Sequence, residues 1–204
     1  MSQFTPSTGA DPADKRRALL RKMMAERGIR PGGDAAPATL RIPRRPAGAM
    51  RVPQSFAQQR LWFLDRLAPG NPFYTVSLAM PLHGPVDASA LQRALDDIVA
   101  RHEALRTSFT EEDGQALQVV SPHAAAAFER IDLSALPAAQ REAQADLLTE
   151  QENARSFDLE CGPLMVARLL HLAPTEHRLL LTLHHIVCDG WSLRVLAQEL
   201  MEAW

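Results

Sequence analysis

Two apolar runs constrain this chain more than any other feature: Leu164 to Leu172, and His177 to His184. Only Ala173-Pro174-Thr175-Glu176 separates them. A link that short leaves no room for a crossover, so the runs read as an antiparallel strand pair. Leu181 and Leu183 carry the second run straight into His184-His185, and Asp189-Gly190 then turns the chain into a helix that begins near Ser192 and carries Leu196, Leu200 and Ala203. The clearest helix follows Asp87, where Leu91, Ala94, Leu95, Ile98, Val99 and His102 recur at helical spacing. Tyr74, Val76, Leu78, Met80 and Leu82 alternate as a half-buried strand does. Asp113-Gly114 marks a hairpin between Phe109 on one side and Leu117 and Val119 on the other. Phe128 to Leu133 reads as a further strand and Pro137 to Arg155 as a helix. Hairpins and helices interspersed in this way predict an α+β layered sandwich.

The chain changes character near residue 50. Residues 1–50 carry a net charge of +6 and contain six Pro and five Gly, whereas residues 51–204 carry −8 and contain no Lys. The first region reads as a basic N-terminal arm. It holds one helix, Pro12 to Arg27, capped by Asp11 and stopped by Gly28, followed by a flexible linker. A basic arm on an acidic body, with few aromatic residues to stack on bases, argues against nucleic acid and for a protein partner. Residues 51–204 read as the folded body. Ser55-Phe56-Ala57-Gln58 fits a capping box, with Ala57, Leu61, Leu64 and Ala68 on one face of the helix it starts and Pro69-Gly70 ending it. No apolar run approaches the ~20 residues that span a bilayer. Two cysteines, Cys161 and Cys188, with no visible secretory signal, predict free thiols in the cytoplasm.

The chemistry concentrates at residues 184–190. Imidazole takes and returns protons near neutral pH, and a strand that ends in His184-His185 before a Gly190-containing turn presents such a base. The helix that follows offers backbone N–H groups where negative charge could develop. On residue types alone a structural reading stands beside this one, with one histidine buried and hydrogen-bonded and the other exposed. For an arbitrary His-His pair it is the commoner of the two. Metal ligation by His184, His185, Cys188 and Asp189 lacks the usual ligand spacings. Gly190-Trp191-Ser192-Leu193-Arg194 departs from a nucleophile elbow at its fifth residue, and Ser192 suits a helix N-cap better.

Three segments together resemble the nonribosomal peptide synthetase condensation domain. Ser55 to Leu64 matches the fixed positions of its first core motif, Ser-x-Ala-Gln-x-Arg-Leu-Trp-x-Leu. Arg101 to Phe109 is similar to the second, Arg-His-Glu-x-Leu-Arg-Thr-x-Phe, and His184 to Ser192 to the third, His-His-x-x-x-Asp-Gly-Trp-Ser. Cys188 stands at a spacer position where this family often has serine.

The resemblance implies the N-terminal lobe of a two-lobed chloramphenicol-acetyltransferase-like fold, of the CoA-dependent acyltransferase superfamily. Its C-terminal lobe is expected to be missing from residues 51–204. The implied reaction is amide formation between a donor acyl or peptidyl thioester and an acceptor aminoacyl thioester. Both substrates arrive on phosphopantetheine arms of peptidyl carrier proteins, and no cofactor or metal binds the domain itself. His185 matches the catalytic histidine, His184 is structural, and Asp189 and Gly190 shape the loop, with Arg106 expected to pair with Asp189. Without a second lobe the chain is expected to be inactive alone. The basic arm is a candidate contact for an upstream synthetase subunit. Two alternatives stand beside this reading, an epimerisation-type relative and a non-catalytic docking module. Heterocyclisation domains carry aspartates in place of the histidines and fit less well.

Overall fold

The computed structural model describes residues 45, 46 and 48–203, so the helix expected over Pro12 to Arg27 lies outside the described residues. Among the described residues, seven strands and four α-helices follow in order. They are β1 (Arg51–Pro53), α1 (Phe56–Leu67), β2 (Thr75–His83), α2 (Ala88–Arg101), β3 (Thr107–Glu112), β4 (Gln115–Val120), β5 (Ala127–Asp132), α3 (Ala138–Asn153), β6 (Met165–Ala173), β7 (Glu176–His184) and α4 (Gly190–Ala203). Short 3-10 turns precede β2 and β3.

The expected pairing of β6 with β7 is present and antiparallel, with Met165 opposite Leu183 and His171 opposite His177. These two strands form the centre of a four-stranded sheet ordered β2-β7-β6-β5. β2 lies antiparallel on one side, placing Thr75 opposite His184, while β5 joins β6 in parallel. A parallel neighbour needs a long crossover, and α3 supplies it. β3 and β4 form the expected hairpin, turning at Asp113 and Gly114 with φ of 52° and 75°. Two successive positive φ values are what a tight hairpin turn of this kind demands. β1 completes this smaller sheet, ordered β1-β4-β3.

Side-chain alternation on the large sheet divides the core. Met165, Ala167, Leu169, Leu179, Leu181 and Leu183 point to α2 and α4, where they meet Leu91, Leu95, Ile98, Leu196 and Leu200. Leu170, Leu172 and Leu180 point the other way, onto Ala145 and Leu148 of α3. Both faces of β6 and β7 are therefore covered, which explains why the two runs are nearly continuous in apolar residues. The result is the layered α+β sandwich expected from the sequence.

The helix α2 buries five of the six residues that its periodicity picks out; His102 instead ends the helix, and its Nε2 meets Glu199 of α4 at 2.8 Å. The helix α1 differs from expectation. Ser55 and Gln58 form the predicted capping box, but Ala57 and Ala68 are exposed, and the buried residue is Trp62. Its large ring joins Phe109, Phe157, Leu159, Leu164 and Ile186 in a separate cluster, whereas an alanine offers too little area to direct a helix face. The sequence reading also missed a buried charge on α3. Glu152 is 1% exposed and takes both hydrogen bonds of a fork from Arg155, each 2.7 Å, and a third contact from Arg168 at 2.7 Å. Burial opposes its ionisation, yet hydrogen bonds from Arg155 and Thr182 and the two guanidinium charges outweigh it and hold the carboxyl below its ordinary value.

Candidate active site

The strand β7 ends at His184, and residues 185–189 form the turn into α4. Because side chains alternate along a strand, adjacent histidines at its end face opposite environments. His184 is buried, with its ring edge-on to Tyr74 and Phe157 at centroid distances of 6.3 and 6.2 Å. Its Nδ1 accepts the Ile186 N–H at 3.1 Å, so this nitrogen carries no proton. Burial, and then the neighbouring His185, push its pKa down to about 4. This histidine is neutral at physiological pH and packs as an aromatic ring.

His185 is exposed. Its backbone N–H donates to the Tyr74 carbonyl at 2.7 Å, and its Nδ1 lies 2.6 Å from the Cys188 carbonyl. A carbonyl can only accept, so Nδ1 carries a proton, and in the neutral ring the lone pair is on Nε2. The ring borders a groove of about 450 Å³, whose other lining includes Ser55, Gln58 and Leu61 at the start of α1 and Asp189 and Ser192 at the start of α4. The first and third sequence motifs thus meet in space, which spacing along the chain could not have shown.

Asp189 immediately precedes α4 and caps it. Its carboxylate accepts the Ser192 N–H at 2.8 Å, while the Ser192 hydroxyl oxygen accepts the Asp189 N–H at 2.7 Å and donates to the Asp189 carbonyl at 3.0 Å. This is a reciprocal capping box like the one at Ser55. Hydrogen bonds from the Ser192 backbone and side chain come first in lowering the Asp189 pKa. Three expectations are corrected here. The N-cap is Asp189 and not Ser192, and α4 begins at Gly190. Of the first-turn N–H groups expected to be open to a developing anion, those of Ser192 and Trp191 are answered by the Asp189 carboxylate.

The third correction concerns Arg106. It approaches the Ser121 carbonyl through one terminal nitrogen, and the other lies 3.6 Å from Glu103. Asp189 has no arginine partner among the described residues. The physical reason is that the helix terminus itself satisfies the exposed carboxylate, so no buried charge requires bracing. Gly190 lies at the first position of α4, with open space around it.

The Cys188 thiol is buried, and burial followed by the Asp189 charge raises its pKa to about 11, far from a reactive thiolate. Among the described residues, no three His, Cys, Asp or Glu side chains gather as a metal ion would require. The site that remains is an oriented, exposed imidazole that borders a groove.

The family model for the condensation domain matches residues 49–204. The chain belongs to the condensation domain family. It is 49% identical over 150 residues to one of the linear gramicidin synthase subunits of Brevibacillus parabrevis, covering 74% of this chain and 2% of that protein. With the phosphinothricin tripeptide synthetase PhsC of Streptomyces viridochromogenes it shares 41% identity over 186 residues, covering 91% of this chain and 17% of that protein. The starter condensation domain of rhizomide synthetase RzmA superposes with a TM-score of 0.66 at 26% identity, over 74% of this chain and 36% of that one. The first condensation domain of the CDA synthetase gives a TM-score of 0.65 at 27% identity, over 75% and 39%. The chain therefore spans a small fraction of the curated relatives and little more than a third of the solved condensation domains that it matches.

Proposed function

We propose that residues 51–204 form the histidine-bearing lobe of a condensation domain that joins two thioester-bound substrates by an amide bond. The observation that carries this reading is the bond from His185 Nδ1 to the Cys188 carbonyl at 2.6 Å, which in the neutral ring assigns the lone pair to Nε2 of a residue that borders the groove. The acceptor amine attacks the donor thioester carbonyl and a C–N bond forms. The C–S bond then breaks, the thiolate leaves with the electron pair, and the amine proton passes through His185 Nε2 to the sulfur. A positioned acid–base group of this kind contributes about 10²–10⁴-fold.

Both acyl groups arrive on phosphopantetheine arms of a donor and an acceptor carrier protein, and the domain itself holds no cofactor or metal. Holding two tethered substrates in register needs walls on both sides of the reacting atoms. In this reading the exposed His185 is closed in by a second lobe, and residues 51–204 alone do not turn over. Residues 1–50 act as a separate basic arm that contacts an upstream synthetase subunit in the cytoplasm. Free Cys161 and Cys188 suit that compartment, and no described helix is long and apolar enough to cross a membrane.

The test is His185→Ala in a two-lobed condensation domain built on these residues, with both carriers loaded. Peptide formation should fall about 10³-fold while the melting temperature stays unchanged. Full activity in the variant would remove His185 from the chemistry.

A further inference from the structure

We propose that Ser192 is a positioning residue for His185, an inference that rests on the reading of His185 as the working imidazole. The link between them is a single peptide unit. The amide joining Cys188 to Asp189 is planar, so its C=O and N–H move together. Its C=O accepts from His185 Nδ1 at 2.6 Å. Its N–H donates to Ser192 Oγ at 2.7 Å.

Each neighbour then holds the next. The Asp189 carboxylate grips the Ser192 N–H at 2.8 Å, and Ser192 Oγ also donates to the Asp189 carbonyl at 3.0 Å. With its backbone and hydroxyl both tied, the serine oxygen becomes a fixed point on the rigid end of α4. That point orients the 188–189 peptide, and the peptide orients the imidazole. Polarisation runs the same way, because a hydrogen bond donated by the amide N–H strengthens its carbonyl as an acceptor.

The orienting bond decides which nitrogen of His185 faces the groove with a lone pair. If the Cys188 carbonyl turns away, Nδ1 loses its acceptor and the proton is free to sit on Nε2, where it blocks proton uptake from the amine. Ser192 thus acts on the tautomer of His185 without needing to touch substrate. A serine that only capped α4 would affect stability and leave the tautomer alone.

The experiment follows from that difference. In the full 204-residue chain with ¹⁵N-labelled histidine, long-range ¹H–¹⁵N spectra read the His185 tautomer directly. The wild-type protein should show the Nδ1–H form. Ser192→Ala should lower that fraction by roughly threefold or more, and Ser192→Thr, which keeps the hydroxyl, should restore it. Asp189→Asn, which retains an acceptor for the cap, should leave it near the wild-type value. If Ser192→Ala does not fold, Ser192→Cys carries the same comparison with a weaker donor and acceptor. In a loaded two-lobed domain, Ser192→Ala should lower kcat about tenfold with KM within about twofold. A folded Ser192→Ala protein with the wild-type tautomer overturns the proposal. If His185→Ala keeps full activity the catalytic reading fails by itself, and the tautomer comparison still decides whether Ser192 holds the ring.

Discussion

The helix α2 and the turn from His185 to Ser192 solve opposite problems. α2 buries Leu91, Ala94, Leu95, Ile98 and Val99 against the large sheet, and its contribution scales with apolar area removed from water. The turn keeps His185, Asp189 and Gly190 exposed and is ordered by hydrogen bonds among its own atoms. One region can lose a methyl group only at a cost in stability. The other should lose a functional group at little cost in stability and a large cost in chemistry. Between them lies His184, one residue from the turn but buried with the sheet.

The strongest test sets Leu95→Ala beside His185→Ala. Leu95 is fully buried, so truncation should cost about 2–5 kcal/mol in denaturant unfolding, while the His185 ring in the surviving folded fraction keeps its Nδ1–H form. His185→Ala should do the reverse, leaving the unfolding midpoint in place. Loss of the His185 tautomer in the Leu95 variant would mean that the core and the turn are not separable.

The next test is the pH dependence of His184. Its pKa is about 4 when folded, against 6.5 as the ordinary value, so between those limits the unfolded chain binds more protons. Stability is then fully present above about pH 6.5 and falls as the pH drops towards 4. The slope approaches about 1.4 kcal/mol per pH unit, or roughly 3 kcal/mol across the window. Below about 4 both states are protonated and this contribution stops changing. His184→Gln should flatten that part of the stability curve, as measured by urea unfolding at half-unit pH steps. An unchanged slope would assign the acid sensitivity to other groups.

The smallest effect is expected at Asp189. Because the carboxylate is an exposed cap that pairs with no arginine among the described residues, Asp189→Ala should lower Tm only by about 2–4 °C. A collapse of soluble protein would point to a buried role for this side chain.

Much of this was legible before the structure. The β6–β7 pair follows from two apolar runs and a four-residue link, α2 from its spacing, and the hairpin from Asp113-Gly114, because local periodicity and turn chemistry act over a few residues. The segment His184 to Ser192 pointed to the candidate site through its resemblance to a family motif, not through periodicity or turn chemistry. The burial of Trp62 was not legible, because it depends on Phe109 and Phe157 meeting it from distant segments. Nor was the charge network at Glu152, whose partner Arg168 stands on another strand.

What the sequence by itself determined, then, is the set of elements and the residues that could carry chemistry. Tertiary structure alone decided the surroundings of the two neighbouring histidines. It buried His184 between Tyr74 and Phe157, and it turned His185 outward onto the Cys188 carbonyl. It also gave Asp189 to the end of α4 and sent Arg106 to Ser121 and Glu103. The physical reason is that a side chain's protonation and partner depend on solvent exposure and on donors within about 3 Å, and both are properties of packing that no run of neighbouring residues encodes.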